Sequence, residues 1–160
     1  INLGPNTSVS VTYSGTVAAA MEGIIQGIPS IAFSLNSFSY TQDFKPAASF
    51  SFKILKMLAN AELPKNLLLN VNIPCLNENE IKGIKITHLS KSKWIDSYQK
   101  RTDPFGREYY WFNGDYIVQD DNSSSDDNAL KNGFVSITPL EINYNNSNHR
   151  TLLEKALLIK

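Results

Sequence analysis

Apolar residues in the first half of the chain recur with two different periods. They follow helical spacing over residues 15–26 and 44–60, which predicts two helices. They form short, compact runs over residues 31–35 and 67–73, which predicts two strands, and the chain opens on the end of a further strand. Strands that alternate with helices in this way favour an α/β fold with a largely parallel sheet.

An aromatic hairpin is predicted in the second half of the chain. Residues 84–89 form one more strand pattern. The turn sequence D-P-F-G at residues 103–106 then leads into the aromatic run over residues 108–112. This order predicts a long β-hairpin over residues 90–115 rather than another strand–helix unit.

The rest of the chain is predicted to hold a loop, a strand and a terminal helix. Residues 115–127 are acidic and rich in Ser and Asn, which is typical of a surface loop. The apolar run over residues 134–138 predicts a strand that ends at Pro139. A polar turn is predicted over residues 143–148, and helical spacing of apolar residues predicts a helix over residues 150–159.

Composition and charge narrow the classes of function. The 160 residues suit one domain, and 42% hydrophobic against 19% charged residues is an ordinary globular balance. The 15 basic and 15 acidic residues give a net charge of zero, so the basic surface expected of a nucleic-acid polymer binder is missing. A small phosphorylated ligand remains compatible with this charge, because a few local donors can hold one.

The single cysteine and the short apolar runs favour a cytoplasmic protein without a membrane partner. Cys75 stands alone, so no disulfide can form within the chain, which fits a reducing compartment. No apolar run reaches the roughly 20 residues that a spanning helix needs.

A small polar cluster, Ser14, Gly15 and Thr16, begins the first predicted helix. A helix N-terminus leaves N–H groups unpaired and carries a partial positive charge, so two hydroxyls and a glycine there can seat a phosphate. Ser and Thr are also common at this position simply as helix caps. The tripeptide alone favours capping.

A second polar cluster, Asn2, Gly4 and Asn6, lies just before the first. An Asn oxygen can ligate Mg²⁺ or Mn²⁺, and an Asn amide can donate to a phosphate oxygen. The same residues also build an ordinary turn, which they favour when taken alone. Position changes the balance, because both clusters are expected at the carboxyl ends of parallel strands, where α/β sheets bind their ligands.

These stretches, taken together with several others in the same order, resemble the SurE family of metal-dependent 5′/3′-nucleotidases. INLGPN and YSGTVAAAMEG carry the resemblance first, and it continues through GIPSIAFSL, LLLNVNIP, KGIKIT, DPFGREYYW and SDDNALKNGFVSITPL. The resemblance implies a Rossmann-like three-layer α/β fold with a protruding hairpin. It also implies removal of phosphate from nucleoside monophosphates with one divalent metal ion, and some members also cut short polyphosphate.

The resemblance assigns roles to both polar clusters. It implies that Asn2 is a metal ligand and that Asn6 faces the phosphate. It further implies that Ser14, Gly15 and Thr16 cradle the phosphate. These are the residues that the reasoning from helix termini and turns also selects.

The resemblance also implies partners of the same chain. In SurE-like proteins the hairpin region is exchanged between subunits, and dimers or tetramers result. We therefore expect a homodimer or homotetramer that forms through the hairpin around Asp103 and Phe112.

One departure from the family pattern concerns the acidic metal ligands. The family has an Asp-Asp pair in an N-D-D-G motif, and this sequence contains no such motif. Its paired aspartates, at residues 120–121 and 126–127, read as solvated loop or helix-cap residues. A single neutral Asn cannot hold a hard dication.

Residues 1–160 are therefore expected to be one SurE-like domain that is truncated at its N-terminus and inactive as it stands, with no catalytic residue assigned. The alternative is a phosphate- or nucleotide-binding module without catalysis. A purely structural oligomer built on the aromatic hairpin is a third interpretation.

Overall fold

A computed structural model describes residues 1–118, 122–143 and 147–157. Helices and strands alternate as predicted over the first half of the chain. In chain order the elements are β1 (Asn2–Leu3), a 3₁₀ helix (Ser8–Tyr13), α1 (Gly15–Ile25), β2 (Ser30–Asn36), α2 (Lys45–Ala59), β3 (Leu68–Pro74), β4 (Ile84–Ile86), β5 (Lys93–Thr102), β6 (Glu108–Ile117), α3 (Asp126–Lys131), β7 (Val135–Leu140) and α4 (Ser147–Ala156).

The central sheet has five strands in the order β1-β2-β3-β7-β4. The strand β7 runs antiparallel to β3, whereas the other neighbouring pairs are parallel. Strands β5 and β6 form a separate antiparallel hairpin that pairs residue by residue from Lys93 with Ile117 to Thr102 with Glu108. The predictions of a largely parallel α/β sheet and of a long hairpin are therefore confirmed.

Helices cover both faces of the sheet and make three layers. On one face, Phe50 and Ile54 of α2 pack with Val71 and Ile73 of β3 in the larger apolar cluster. On the other face, α1 packs over a smaller apolar cluster, whose buried members are Val11, Val17, Ala20, Ala32 and Leu68. Beyond that smaller cluster the second face becomes polar, and this polar part positions the candidate site.

The strand predicted over residues 84–89 is shorter than expected. It ends at Ile86, and the chain then turns toward the start of α3, where His88 forms an isolated bridge with Ser125. The backbone N–H of Asp126 donates to the carbonyl of His88 at 3.0 Å. Thr87 still donates its backbone N–H to the carbonyl of Ile137 in β7, so it is at His88 that the pairing passes to this distant partner, which local periodicity does not reveal.

The surface loop predicted over residues 115–127 is wrong at both ends. Asp115 continues β6, because it lies opposite Ile95 of β5 in the hairpin. At the other end, Asp126 and Asp127 begin α3, whose N-cap Ser125 accepts a hydrogen bond from the backbone of Asn128. The aspartates at residues 120–121 lie outside the described residues.

The C-terminal elements begin earlier or end later than predicted. The strand β7 continues through Pro139 to Leu140. Proline is tolerated there because β4 pairs only as far as Ile137, so no ladder partner needs the missing N–H. The helix α4 begins at Ser147 instead of residue 150, which shortens the predicted polar turn; residues 144–146 and 158–160 lie outside the described residues.

None of the helices in the described ranges is both long and apolar enough to cross a membrane.

Candidate functional site

The turn after β1 holds Asn2 by a local hydrogen bond. Its side-chain Nδ2 donates to the carbonyl of Gly4 at 2.9 Å. Gly4 adopts a φ of +102°, where a side chain would be strained, and a Cβ there would lie 3.4 Å from Cε1 of Phe38. The Asn2 amide nitrogen thus stabilises its own turn, which leaves Oδ1 as the atom that could serve as the predicted metal ligand.

Asn6 is fixed by two buried asparagines of β3. Its backbone N–H donates to Oδ1 of Asn72 at 2.8 Å. Its carbonyl accepts from Nδ2 of Asn70 at 2.7 Å and from Nδ2 of Asn72 at 3.0 Å. Its own side chain donates from Nδ2 to the hydroxyl of Ser34 at 2.7 Å. Asn70, Asn72 and Ser34 are all fully buried, so the peptide groups of Asn6 have little freedom to move.

The N-terminus of α1 shows the capping arrangement that Ser14, Gly15 and Thr16 favoured when taken alone. The hydroxyl oxygen of Ser14 accepts from the backbone N–H of Val17 at 3.1 Å, which leaves its own proton available to a ligand oxygen. Gly15 is exposed, and a Cβ there would meet no atom within 4 Å. The N–H groups of Gly15 and Thr16 precede the first intrahelical bond, which runs from Ala18 to Ser14.

The structure brings Asn2 and Asn6 together at Ser34, and apolar packing links this region to the start of α1. Asn2 lies opposite Ser34 in the sheet register, and Asn6 bonds to the Ser34 hydroxyl, so the two predicted asparagines converge on one residue. The unpredicted 3₁₀ helix separates them from Ser14. Within the described ranges no hydrogen bond joins Asn2 or Asn6 to residues 14–16; instead, Val11 and Val17 share one apolar cluster.

Asp126 is fully buried, so it is not a solvated loop residue; it lies in the first turn of α3, which agrees with the helix-cap alternative. Its Oδ2 accepts from the backbone N–H of Ser8 at 2.8 Å, and its Oδ1 accepts from Ser90 at 2.9 Å. Burial raises the pKa of this carboxyl, and the hydrogen bonds from Ser8 and Ser90 act in the opposite direction. Ser8 has a φ of +56°, which is uncommon for a residue with a side chain, and Asp126 holds it there.

Asp127 joins the same region to the hairpin. Its Oδ2 accepts from the hydroxyls of Ser90 and Tyr116, the latter at 2.7 Å, and the Tyr116 oxygen lies 3.4 Å from Oγ1 of Thr7. Burial acts to raise the pKa of Asp127, but the hydrogen bonds from Ser90 and Tyr116 outweigh it and lower that pKa. Burial raises the pKa of Tyr116, so its hydroxyl stays a proton donor.

An open cavity of about 270 Å³ lies beside this network. We call it the aromatic pocket, and its walls include Thr7, Phe38, Trp94, Tyr116 and Asp127. The sequence did not predict this pocket, because its walls come from five separate parts of the chain. Trp94 lay within the predicted hairpin, but Tyr116, which lies opposite it in the structure, fell in the predicted loop.

The described residues do not form a complete metal site. They hold no group of three or more His, Cys, Asp or Glu side chains that could bind a metal ion. A single amide oxygen, such as Oδ1 of Asn2, is a weak ligand for a hard dication, which normally takes several oxygens including carboxylates.

Comparisons with known proteins agree with the resemblance. A family model described as survival protein SurE matches residues 1–96. The chain is 45% identical over 141 residues to the 5′-nucleotidase SurE of Christiangramia forsetii, which covers 88% of the chain and 54% of that protein. It is 49% identical over 144 residues to the protein of that name in Thermosynechococcus vestitus, covering 88% of the chain and 54% of the relative.

A solved structure extends this agreement to the fold. The crystal structure of the SurE protein from Aquifex aeolicus matches with a TM-score of 0.83 at 39% identity, covering 98% of this chain and 63% of that one. The chain thus spans about half the length of the curated relatives that it matches. With a family model that matches more than half of its residues, the chain belongs to the SurE family.

Proposed function

We propose that this chain supplies the phosphate-binding side of a nucleotidase site that hydrolyses nucleoside 5′- and 3′-monophosphates to nucleoside and phosphate. The names of its relatives support a 5′-nucleotidase, and short polyphosphate is a further proposed substrate. The observation that carries the proposal is the clamp on Asn6. A residue whose peptide groups are held by two buried asparagines is preorganised, and preorganised donors stabilise developing charge most effectively.

The proposed roles follow the chemistry of each group. Asn6 and the hydroxyl of Ser14 would donate to phosphate oxygens, and so would the N–H groups of Gly15 and Thr16 at the positive end of α1. Together they would hold the charge that spreads over the equatorial oxygens of the transferring phosphoryl group.

Asn2 is proposed as one ligand of a divalent ion such as Mg²⁺ or Mn²⁺, which would act as a Lewis acid. The described residues contain no group of three or more His, Cys, Asp or Glu side chains that could complete such a site. We therefore expect the 160-residue chain to release no phosphate from AMP, with or without Mn²⁺. The alternative, a phosphate- or nucleotide-binding module without catalysis, predicts the same result. Metal-stimulated release by the purified chain would contradict this expectation.

Phosphate binding at the start of α1 can be tested with a pair of variants that both keep the helix cap. Asn and Asp cap helices about as well as Ser does. Ser14→Asn should bind inorganic phosphate nearly as the wild type does, whereas Ser14→Asp should bind it at least about tenfold more weakly, because it places a negative charge beside the anion. Calorimetric titration measures both affinities, and equal binding by the two variants would overturn the proposal.

The hairpin is proposed as the contact between copies of this chain in a homodimer or homotetramer. All of β5 is exposed, and Tyr110, Trp111 and Phe112 on β6 are more than half exposed. Clustered exposed aromatics are typical of protein interfaces.

A double variant, Tyr110→Ser with Phe112→Ser, should lower the molar mass measured by light scattering to that of a monomer. The matched control replaces two exposed tyrosines outside the hairpin, Tyr13→Ser with Tyr40→Ser, and should keep the wild-type mass. An unchanged mass in the hairpin variant would remove the hairpin from the interface.

A further inference from the structure

The aromatic pocket lies beside Asn6, one of the proposed phosphate donors, whereas Ser14 lines a separate cavity. Pro5 and Thr7, the chain neighbours of Asn6, both line it. Thr7 also lies within 3.4 Å of the Tyr116 hydroxyl on another wall of the pocket. A ligand whose phosphate reached Asn6 could therefore place the rest of its body in this cavity.

Two exposed aromatic rings give the pocket a surface suited to a flat ring. Phe38 is 71% exposed and Trp94 is 51% exposed, although both line the same cavity. Trp94 is supported by Tyr116, with ring centroids 5.4 Å apart, and Phe38 approaches the turn at Gly4. Nucleobases stack on such rings without regard to base identity, because every base has a π-face.

Asp127 gives the pocket a hydrogen-bond acceptor. The hydrogen bonds from the hydroxyls of Ser90 and Tyr116 both go to Oδ2, and the hydroxyls of Thr7 and Ser92 also help to lower the pKa of this carboxyl. An ionised carboxylate oxygen can only accept, so it suits hydroxyl donors. Vicinal ribose hydroxyls are donors of this kind, whereas the phosphate itself would be repelled by the charge.

The size of the cavity favours one nucleoside. Its volume of about 270 Å³ is close to the lower limit of roughly 300 Å³ for typical ligand pockets. The zero net charge of the chain likewise gives no support to an extended nucleic acid.

We propose that the aromatic pocket binds the nucleoside part of the substrate, with the base stacked on Phe38 and Trp94 and the ribose hydroxyls donating to Asp127. This inference rests on the proposed nucleotidase function, which it deepens by assigning the part of the site that recognises the leaving nucleoside.

Adenosine is the sharpest probe, because it carries no phosphate and needs no metal. Trp94 and Trp111 are the two tryptophans of the chain, so each can be removed in turn. Adenosine should quench the fluorescence of the wild type and of Trp111→Phe, and it should leave that of Trp94→Phe unchanged. Quenching that persists in Trp94→Phe would overturn the proposal.

The stacking contact is tested at an exposed residue whose loss does not threaten folding. Phe38→Ala should weaken adenosine binding by about 5- to 150-fold, the range that follows from the loss of one base–aromatic contact. Tyr40→Ala removes a ring that is 94% exposed two residues away, and it should bind adenosine like the wild type. Equal affinities of the Phe38 variant and the wild type would contradict the assignment.

The ribose contact is tested by measuring the effect of Asp127→Asn on two ligands, one with ribose hydroxyls and one without. Asp127→Asn should weaken adenosine binding by about tenfold, the effect of losing a hydrogen bond to a charged group. The variant should not change the affinity for 2′,3′-dideoxyadenosine, which lacks both hydroxyls. If Asp127→Asn weakened both ligands equally, the carboxylate would not be the ribose partner.

The outcomes also separate this inference from the proposed function. Binding of inorganic phosphate without adenosine binding would overturn the nucleoside assignment alone. Binding of adenosine at Trp94 without phosphate binding at Ser14 would leave the pocket assigned and would remove the proposed phosphate site.

Discussion

The two faces of β3 are equally buried and serve different ends. On one face, Val71 and Ile73 pack with α2 in the main apolar cluster. On the other, Asn70 and Asn72 are just as inaccessible, yet their amides hold the peptide groups of Asn6. Alternate residues of one strand thus have different roles: the aliphatic ones stabilise the sheet, and the asparagines fix the conformation of the loop at Asn6.

The two kinds of burial differ in what they contribute to the free energy of unfolding. A buried aliphatic side chain contributes through the area that it removes from water, about 1.5–3 kcal/mol for a side chain of this size. A buried amide contributes little net stability while it is paired, but it leaves partners that cost about 1–3 kcal/mol when it is removed. The polar face is therefore better suited to specifying one conformation than to stabilising the fold.

The largest expected effect comes from a matched pair of adjacent, fully buried residues. Ile73→Ala should lower the free energy of unfolding by about 2–5 kcal/mol, because it opens a cavity in the apolar cluster. Asn72→Ala should lower it by about 1–3 kcal/mol, because it leaves the N–H of Asn6 without its acceptor. Urea unfolding measures both changes.

The affinity for inorganic phosphate should rank the same two variants in the opposite order, with the larger loss in Asn72→Ala. Ile73→Ala should bind inorganic phosphate as the wild type does while it is folded, since no contact to Asn6 is altered. Asn72→Ala should lose most of the affinity, because the loop that carries Asn6 is no longer fixed. If both variants lost affinity in proportion to their stability, the two faces would not have distinct roles.

The sequence predicted one side of this comparison well and the other only in part. Helical and strand periods are local, so the α/β order and the hairpin followed from them. The alternation over residues 67–73 even placed Asn70 and Asn72 on the face opposite Val71. Their role was missed because the segment that covers them lies 64 and 66 residues away in the chain.

Asp126 shows the same limit more strongly. Its surroundings in sequence, SDDNA, are those of a helix start, and Ser125 is indeed the N-cap. Its burial arises from a hydrogen bond to Ser8, 118 residues away. A short polar segment that pairs with a distant part of the chain produces no periodic pattern in the sequence. The helix cap at Ser14, in contrast, depends only on the helix that it begins.

A smaller effect concerns pH, which should alter the polar network and leave the apolar face unchanged. Hydrogen bonds from Ser90 and Tyr116, outweighing burial, lower the pKa of Asp127 in the folded chain. Such a group stabilises the fold above its unfolded pKa of about 3.9, and this stability is lost as the pH falls through the lower folded pKa. Asp127→Asn should therefore be less stable than the wild type at pH 7.

The difference between Asp127→Asn and the wild type should shrink when the unfolding midpoints are measured below about pH 4. The loss caused by Ile73→Ala should be the same at both pH values, since it involves no titrating group. A constant difference for Asp127→Asn across this range would mean that its ionised form has no special role in the network.

The hairpin would connect the two proposed equilibria, subunit assembly and nucleoside binding, because its strands carry residues of both surfaces. Trp94 and Tyr116 lie opposite each other at its base and line the pocket, while Tyr110 and Phe112 lie farther along the same ribbon. If assembly through the far end of the hairpin alters the positions of Trp94 and Tyr116, the affinity for the nucleoside changes. Thermodynamic linkage then requires that nucleoside binding change the assembly constant by the same factor. Protein concentration would then act as an effector of the pocket, and cooperativity between subunits could arise without any additional site.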